Sequence, residues 1–173
     1  MTPRLATLFA TALIAIFASG ASFAADKVTA KLKRGDTPPP ELGLTRGGDE
    51  IQTTQFNGRV MVVTFWASWC GPCRKELTML EGLQQVAKDR VKVVAVNIEE
   101  RDVFKAVSRA LSSLTVTITN DPRQRYADAY GVNGIPHMVI IGKDGKIISV
   151  HRGYNEAALD GLVAEINAAL NAG

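Results

Sequence analysis

The sequence predicts an α/β domain with a central, mostly parallel sheet, an antiparallel edge and helices on both faces. Three observations carry that class. Two apolar runs rich in β-branched residues, Arg59–Ala67 and Val91–Asn97, are nearly continuous rather than alternating, as strands covered on both faces are. Each is followed by a stretch of helical period, from about Cys70 to Lys88 and from Asp102 to Leu111. Near the end, Met138–Ile141 and Ile147–His151 flank the turn Lys143-Asp144-Gly145-Lys146, which reads as a hairpin before a last helix.

In chain order, Met1–Ala24 has one positive charge at Arg4, an apolar run of about 14 residues from Leu5 to Ala18, and small residues at Ser22 and Ala24; this is the pattern of a secretory signal peptide. The run is short of the roughly 20 apolar residues that span a bilayer, so no stable membrane span is expected after cleavage. An uncleaved anchor is the other reading. Residues 25–34 are polar and basic and read as a flexible lead-in, and residues 35–173 as the domain. Pro38-Pro39-Pro40 must be extended. Two short strands, 41–45 and 50–52, flank the Gly47-Gly48 turn, and Thr54–Asn57 is a single turn closed by Gly58.

The helix after the first buried strand shows Leu77, Leu80, Leu83, Gln84 and Ala87 at helical spacing. The second helix is expected to bury Val103, Ala106, Val107, Ala110 and Leu111. Thr115–Thr119 is a short β-branched strand. Asp121-Pro122 reads as a helix start, with Asp as cap and Pro at the first position, ending near Gly131. Asn155 caps a final helix, Glu156–Leu170, with Leu159, Leu162, Val163, Ile166 and Leu170 inward.

The formal charge of +3 falls to +2 once Arg4 leaves with the leader, and the basic residues are dispersed. A solvated basic surface fits this pattern; a nucleic-acid stripe does not.

The chemistry centres on Cys70 and Cys73, the only two cysteines, placed where the first strand turns into its helix. The first N–H groups of a helix lack internal partners and its dipole is positive there, so a thiol at that point ionises readily, and the thiolate is the reactive form. Pro72 suits the first turn, where a missing N–H costs nothing. A structural bridge closing so small a ring gains only about 2 kcal/mol from chain entropy, so a redox-active pair is the better reading. Cys70, ahead of the helix, is the expected exposed nucleophile; Cys73, one turn on and more buried, is the resolving thiol. Exchange between thiols requires no cofactor and no metal.

Thr64–Leu80, TFWASWCGPCRKELTML, together with VVAVNIEE at 93–100, GVNGIPHMVI at 131–140 and GKDGKIISVHRGY at 142–154, resembles the thioredoxin superfamily, in its exported TlpA/ResA-like branch of thiol–disulfide oxidoreductases. The resemblance covers roughly residues 35–170. It implies the thioredoxin fold with an N-terminal β-hairpin extension and a central αβ insertion from Glu99 to near Thr119. It also implies that Ile135-Pro136 is a cis-proline loop against the cysteines, with the Ile135 main chain pairing with an extended substrate. Gly71-Pro72 is the dipeptide of reductants more than of oxidants in this superfamily. Trp69 is expected to wall the cysteine and offer substrate an apolar platform, and Trp66 to be core beneath the site.

Glu76 lies one helical turn beyond Cys73. In the ResA-like branch a glutamate at the matching place tunes the thiols, and a carboxylate near a buried thiol can hold its proton or repel its thiolate. Three positions depart from the superfamily pattern. Thr64 stands where thioredoxins carry a buried aspartate, a role open to Glu76. Thr78 replaces a helix-kinking proline, so a straighter helix is expected. His137 follows the cis-proline, where threonine is common, and a protonated imidazole near Cys70 would stabilise its thiolate; the plain alternative is a packed, hydrogen-bonded histidine. His151 reads as a surface residue of the hairpin.

The function that follows is a periplasmic reductase of disulfides in exported proteins, apocytochrome c being the branch's best-known target, with electrons supplied by a membrane thiol reductant. The rivals are an oxidase that donates its disulfide, a thiol-based copper carrier and a non-catalytic binding module.

Overall fold

The computed structural model describes residues 31–172; the leader expected over 1–24, and the lead-in as far as residue 30, lie outside them. The strands are β1 (Glu41–Thr45), β2 (Glu50–Gln52), β3 (Val60–Trp66), β4 (Val91–Asn97), β5 (Thr117–Asn120), β6 (His137–Ile141) and β7 (Ile147–Arg152). The helices are α1 (Gly71–Ala87), α2 (Arg101–Ala110), α3 (Arg125–Ala129) and α4 (Leu159–Asn171). All strands join one sheet in the order β2-β1-β5-β4-β3-β6-β7.

Parallel pairing is narrower than the periodicity predicts. It is confined to β3 with β4 and β4 with β5; the sheet continues antiparallel on both sides, through β6 and β7 on one and β1 and β2 on the other. The N-terminal hairpin adds to β5, the strand of the central insertion, a long-range pairing no local pattern announces. Gly43 makes that junction possible: its φ is +90°, and a Cβ there would lie 2.5 Å from the Asn120 carbonyl oxygen.

Every residue of β3 is buried, so its two faces feed two cores. Val60, Val62 and Trp66 pack with Leu77 and Leu80 of α1 and Leu162 and Ile166 of α4. Met61, Val63 and Phe65 pack with Ala127 and Tyr130 on the other side. Leu32 joins that second core, and the Gly35 N–H donates to the Ile147 carbonyl at 2.8 Å. The last residues of the expected flexible lead-in are therefore docked, because Leu32 is an apolar side chain with a place to go.

Two helix faces differ from the periodic reading. Within α2 it is Phe104 and Ser108 that are buried, while Val103 is 43 % exposed and Ala106 and Ala110 are exposed too; one large aromatic outweighs several small apolar residues in choosing a face. In α4, Ala169 is buried and Val163 is exposed, and the helix is preceded by a 3-10 turn capped by Asn155, whose Oδ1 accepts from the Ala157 N–H. Asp121 does cap α3, but across the Pro122-Arg123 turn, accepting from the N–H groups of Arg125, Tyr126 and Ala127.

Glu81 of α1 holds the start of β5. Its carboxylate accepts from the Thr115 and Val116 N–H groups at 2.8 and 3.1 Å and from the Thr115 hydroxyl at 2.9 Å. Burial pushes this carboxyl up, but these bonds and one from Gln85 outweigh it and hold it below its ordinary range. Glu81→Ala is expected to leave two N–H groups unpaired and to cost about 3 kcal/mol, read as a lowered denaturant midpoint at unchanged slope; an unchanged midpoint would deny the clamp its role.

Candidate active site

The end of β3 and the start of α1 build the site. Cys70 is the N-cap of α1, with Gly71 and Pro72 in the first turn. Its Sγ accepts from the Cys73 N–H at 3.2 Å, the free helix donor that the sequence places there. Cys70 and Cys73 are joined by a disulfide. Cys70 keeps 5 % of its surface and Cys73 1 %. The order is the expected one, but Cys70 is far from exposed: it shares an apolar cluster with Leu77 and Met138, and Ile135 packs against that cluster. The exposed group is Trp69, at 70 %. Trp66 is buried in the core beneath the site.

The loop from Ala67 to Cys70 is held by groups to which the sequence reading gave no role. Glu99 accepts from the Ser68 N–H at 2.6 Å, the Ser68 hydroxyl at 2.8 Å and the Asn97 side chain at 2.9 Å. Burial raises the Glu99 carboxyl, and these bonds bring it below its ordinary range. The Arg74 guanidinium donates to the Ser68 carbonyl at 2.9 Å. The only trace of this in the sequence is a glutamate at the end of a buried strand, in the VVAVNIEE stretch.

Because β6 runs antiparallel to β3 with Phe65 opposite His137, the loop ending in Ile135-Pro136 returns to the end of the sheet where the cysteines sit. That peptide bond is cis. Ile135 is half-buried and Pro136 buried, and the Pro136 carbonyl accepts from the Gly153 N–H at 2.9 Å.

Glu76 is 3 % exposed and points inward from α1. The Thr64 hydroxyl donates to its Oε1 at 2.5 Å. Burial raises the carboxyl to about 7, against the opposing effect of that hydrogen bond. Thr64 thus presents a hydroxyl that does not titrate to a carboxyl supplied from the helix. A group balanced near neutrality, one turn from Cys73, can both take and return a proton. Thr78 bonds back to the Arg74 carbonyl at 3.0 Å, and α1 runs from Gly71 to Ala87.

His137 does not take the role of a charged neighbour of Cys70. Opposite residues of paired strands share a face, so His137 lies with Phe65 on the side of the sheet away from α1, its ring edge-on to Phe65 at 6.2 Å. It is fully buried and neither ring nitrogen has a hydrogen-bond partner among the described residues. Burial, and then the Arg152 charge, lower it to about 4, so the imidazole is neutral at physiological pH.

Depressions flank the redox pair on both sides of α1. One of about 740 Å³ is lined by Gly71, Pro72, Arg74, Lys75 and Tyr154. An apolar groove of about 390 Å³ is lined by Trp66, Leu77, Val107, Leu111 and Leu114. Among the described residues no group of three or more His, Cys, Asp or Glu is arranged to hold a metal.

The Redoxin family profile matches residues 25–170. A thioredoxin-like protein, YneN, of Bacillus subtilis is 31 % identical over 125 residues, covering 70 % of this chain and 73 % of that protein. A thiol-disulfide oxidoreductase, ResA, of Geobacillus thermodenitrificans is 29 % identical, covering 69 % of each. Among solved structures, a putative thiol:disulfide interchange protein DsbE from Chlorobium tepidum superimposes with a TM-score of 0.72 at 31 % identity, over 81 % of this chain and 99 % of that one.

Proposed function

Because the chain belongs to the Redoxin family, as a ResA-like thiol–disulfide oxidoreductase of the thioredoxin superfamily, we propose that it is an exported reductase of protein disulfides. The observation that carries the reading is one helix N-terminus that holds both sulfurs, with the Cys73 N–H on Cys70 Sγ and the buried Glu76 carboxyl one turn along.

In the dithiol form, Cys70 thiolate attacks one sulfur of a substrate disulfide. That S–S bond breaks, the departing sulfur takes a proton from solvent, and a mixed disulfide forms. Glu76 carboxylate then takes the Cys73 thiol proton. Cys73 attacks Cys70 Sγ, the mixed disulfide breaks and the second substrate sulfur leaves; two electrons have passed to the substrate. Trp69 and the Ile135 main chain, beside the cis Pro136, hold the substrate strand, and Gly71-Pro72 keeps the ring tight.

What surrounds the thiols supports the reducing direction. A disulfide is a strong oxidant when the dithiol it forms on reduction is stabilised. Here His137 is neutral and on the other face, Arg74 is engaged by Ser68, and Glu76, once ionised, disfavours a thiolate beside it. That environment supports a reducing couple.

The signal-peptide pattern expected over residues 1–24 supports export, into the periplasm of a Gram-negative envelope or to the outer face of the membrane in another bacterium, and among the described residues no helix is long and apolar enough to cross a membrane. An oxidising compartment supplies no thiol electrons, so a membrane thiol reductant is the donor. The acceptors are disulfides of exported proteins, with the haem-attachment cysteines of apocytochrome c among them. Equilibration of the Cys70–Cys73 couple against a dithiol standard tests this: a potential near or below about −250 mV is expected, whereas one near about −120 mV would make the protein an oxidase.

A further inference from the structure

Glu76 sits in the interior, yet a carboxyl that takes a proton on each turnover must also release it. The route is visible on the α1 face of the sheet. Thr64, Met138 and His151 lie opposite one another across β3, β6 and β7, a cross-strand row with Glu76 hydrogen-bonded at its inner end. A cleft of about 130 Å³ opens over that row, between α1 and the segment leading into α4. Glu76 lines it at one end; His151, Arg152 and Tyr154 also line it, and Met79 and Leu162 form apolar wall. Its volume is enough for several water molecules, each needing about 30 Å³, and its polar groups offer them partners.

His151 is not the free surface residue that its hairpin position predicts. Its Nε2 lies 2.8 Å from Glu165 Oε2 on α4 and 3.1 Å from the Ser149 hydroxyl, which itself donates to Glu165 Oε2 at 2.8 Å. The side chain remains 35 % exposed, so it faces both solvent and the cleft. Imidazole can accept on one nitrogen while donating from the other, and a carboxylate on the donating nitrogen fixes the orientation of the ring and its tautomer. The groups that face it are Glu165 from α4, Ser149 from its own strand, and Glu76 and Tyr154 along the cleft; Arg152, the next residue, lines the cleft but is paired with His137 on the opposite face.

We propose that His151, oriented by Glu165, is the proton exit of the redox site: it takes the proton from Glu76 through water in the cleft and hands it to solvent. The proposal rests on Glu76 as the acceptor of the Cys73 proton. The relay moves a proton alone: the Glu76 O–H bond breaks, an imidazole N–H forms, and solvent base removes that proton. His151 touches no reacting sulfur and is a positioning and relay residue.

The test uses the full reduced protein mixed rapidly with the aromatic disulfide 5,5′-dithiobis(2-nitrobenzoate). Its two chromophoric thiolates leave in turn, the first on Cys70 attack and the second on Cys73 attack. Below about pH 7 Glu76 starts protonated and must lose that proton through His151 before it can take the one on Cys73; there, in His151→Gln, the second release is expected to slow about tenfold, short of the roughly 100-fold or more of a group that meets the reacting atoms itself, with the first unchanged. Its pH profile is expected to flatten, and imidazole in the buffer to restore the rate. Glu165→Gln, which keeps a hydrogen bond but removes the charge, is expected to slow the same phase a few-fold and serves if the first variant does not fold. Glu76→Gln is expected to slow the second release without rescue. A normal second release in both His151→Gln and Glu165→Gln, with Glu76→Gln slow, overturns the relay and leaves the role of Glu76 standing. A normal second release in Glu76→Gln removes that role as well.

Discussion

Cys70→Ser is expected to reduce disulfide exchange to background, a loss on the order of a thousandfold or more, as when a nucleophile is removed. A serine hydroxyl is not ionised at neutral pH and cannot displace a sulfur, whereas the Cys70 thiolate forms beside the Cys73 N–H. The fold should survive, because both cores extend well beyond the disulfide and the ring it closes spans three residues of separation, contributing only about 2 kcal/mol by the chain-entropy argument. Cys73→Ser should behave differently. It keeps the first attack and cannot resolve it, so substrate accumulates as a mixed disulfide on Cys70, visible as a mass increase that dithiothreitol removes. Trapping by Cys70→Ser in place of Cys73→Ser would reverse the assigned order of attack.

The second large effect concerns stability and pH. Glu76 has a folded-state pKa of about 7 against an ordinary value of 4.5, so between those values the folded protein keeps a proton that the unfolded chain has lost. Its contribution is fully present below the lower value and is lost as pH rises to the upper one, a fall of about 3 kcal/mol. His137 works in the opposite sense. Its folded value of about 4 lies below the ordinary 6.5, so the unfolded chain binds the extra proton and stability rises across that window by a similar amount, about 3 kcal/mol. The wild-type curve therefore conceals two opposed slopes between about pH 4.5 and 6.5. Glu76→Gln removes one of them and keeps an amide oxygen for the Thr64 hydroxyl. Relative to wild type, it is expected to gain about 3 kcal/mol as pH rises from 4 to 8, measured by denaturant unfolding at each pH. A difference that is flat over that range would show that the carboxyl is not held protonated by the fold.

Much of this site was readable in the residues because its determinants are local. A continuous apolar strand, a cysteine at a helix N-terminus and a proline in the first turn each follow from backbone chemistry over a few positions. Spacing also put Glu76 nearly one turn from Cys73, but left it open whether the carboxyl turned inward or lay on the helix surface; the Thr64 hydroxyl and the burial show it inward. What escaped depends on partners far along the chain. For His137 both a charged neighbour of Cys70 and a packed histidine stayed open, because its face is decided by register with Phe65, far away along the chain. Glu81 and Glu99 look like ordinary polar residues until the segments they tie, Thr115-Val116 and Ser68, come beside them. Of the α2 residues expected inward, Val107 and Leu111 do pack partly against the core, but Val103, Ala106 and Ala110 are exposed, because apolar residues occur around much of the circumference and the surrounding structure buries Phe104 instead.

The strand order has a last consequence, for self-association. A sheet ends in two rims, and a long unpaired rim is a template on which another molecule can add a strand. One rim here is β2, only three residues long and including Glu50. The other is β7, where the Ile147 N–H and carbonyl are already taken by Asp36 and Gly35 and Arg152 supplies a charge at the far end. Short length, charge and a covering segment are the means by which natural sheets resist edge-to-edge aggregation. The described sheet thus carries at each rim a device that discourages a second molecule from joining it.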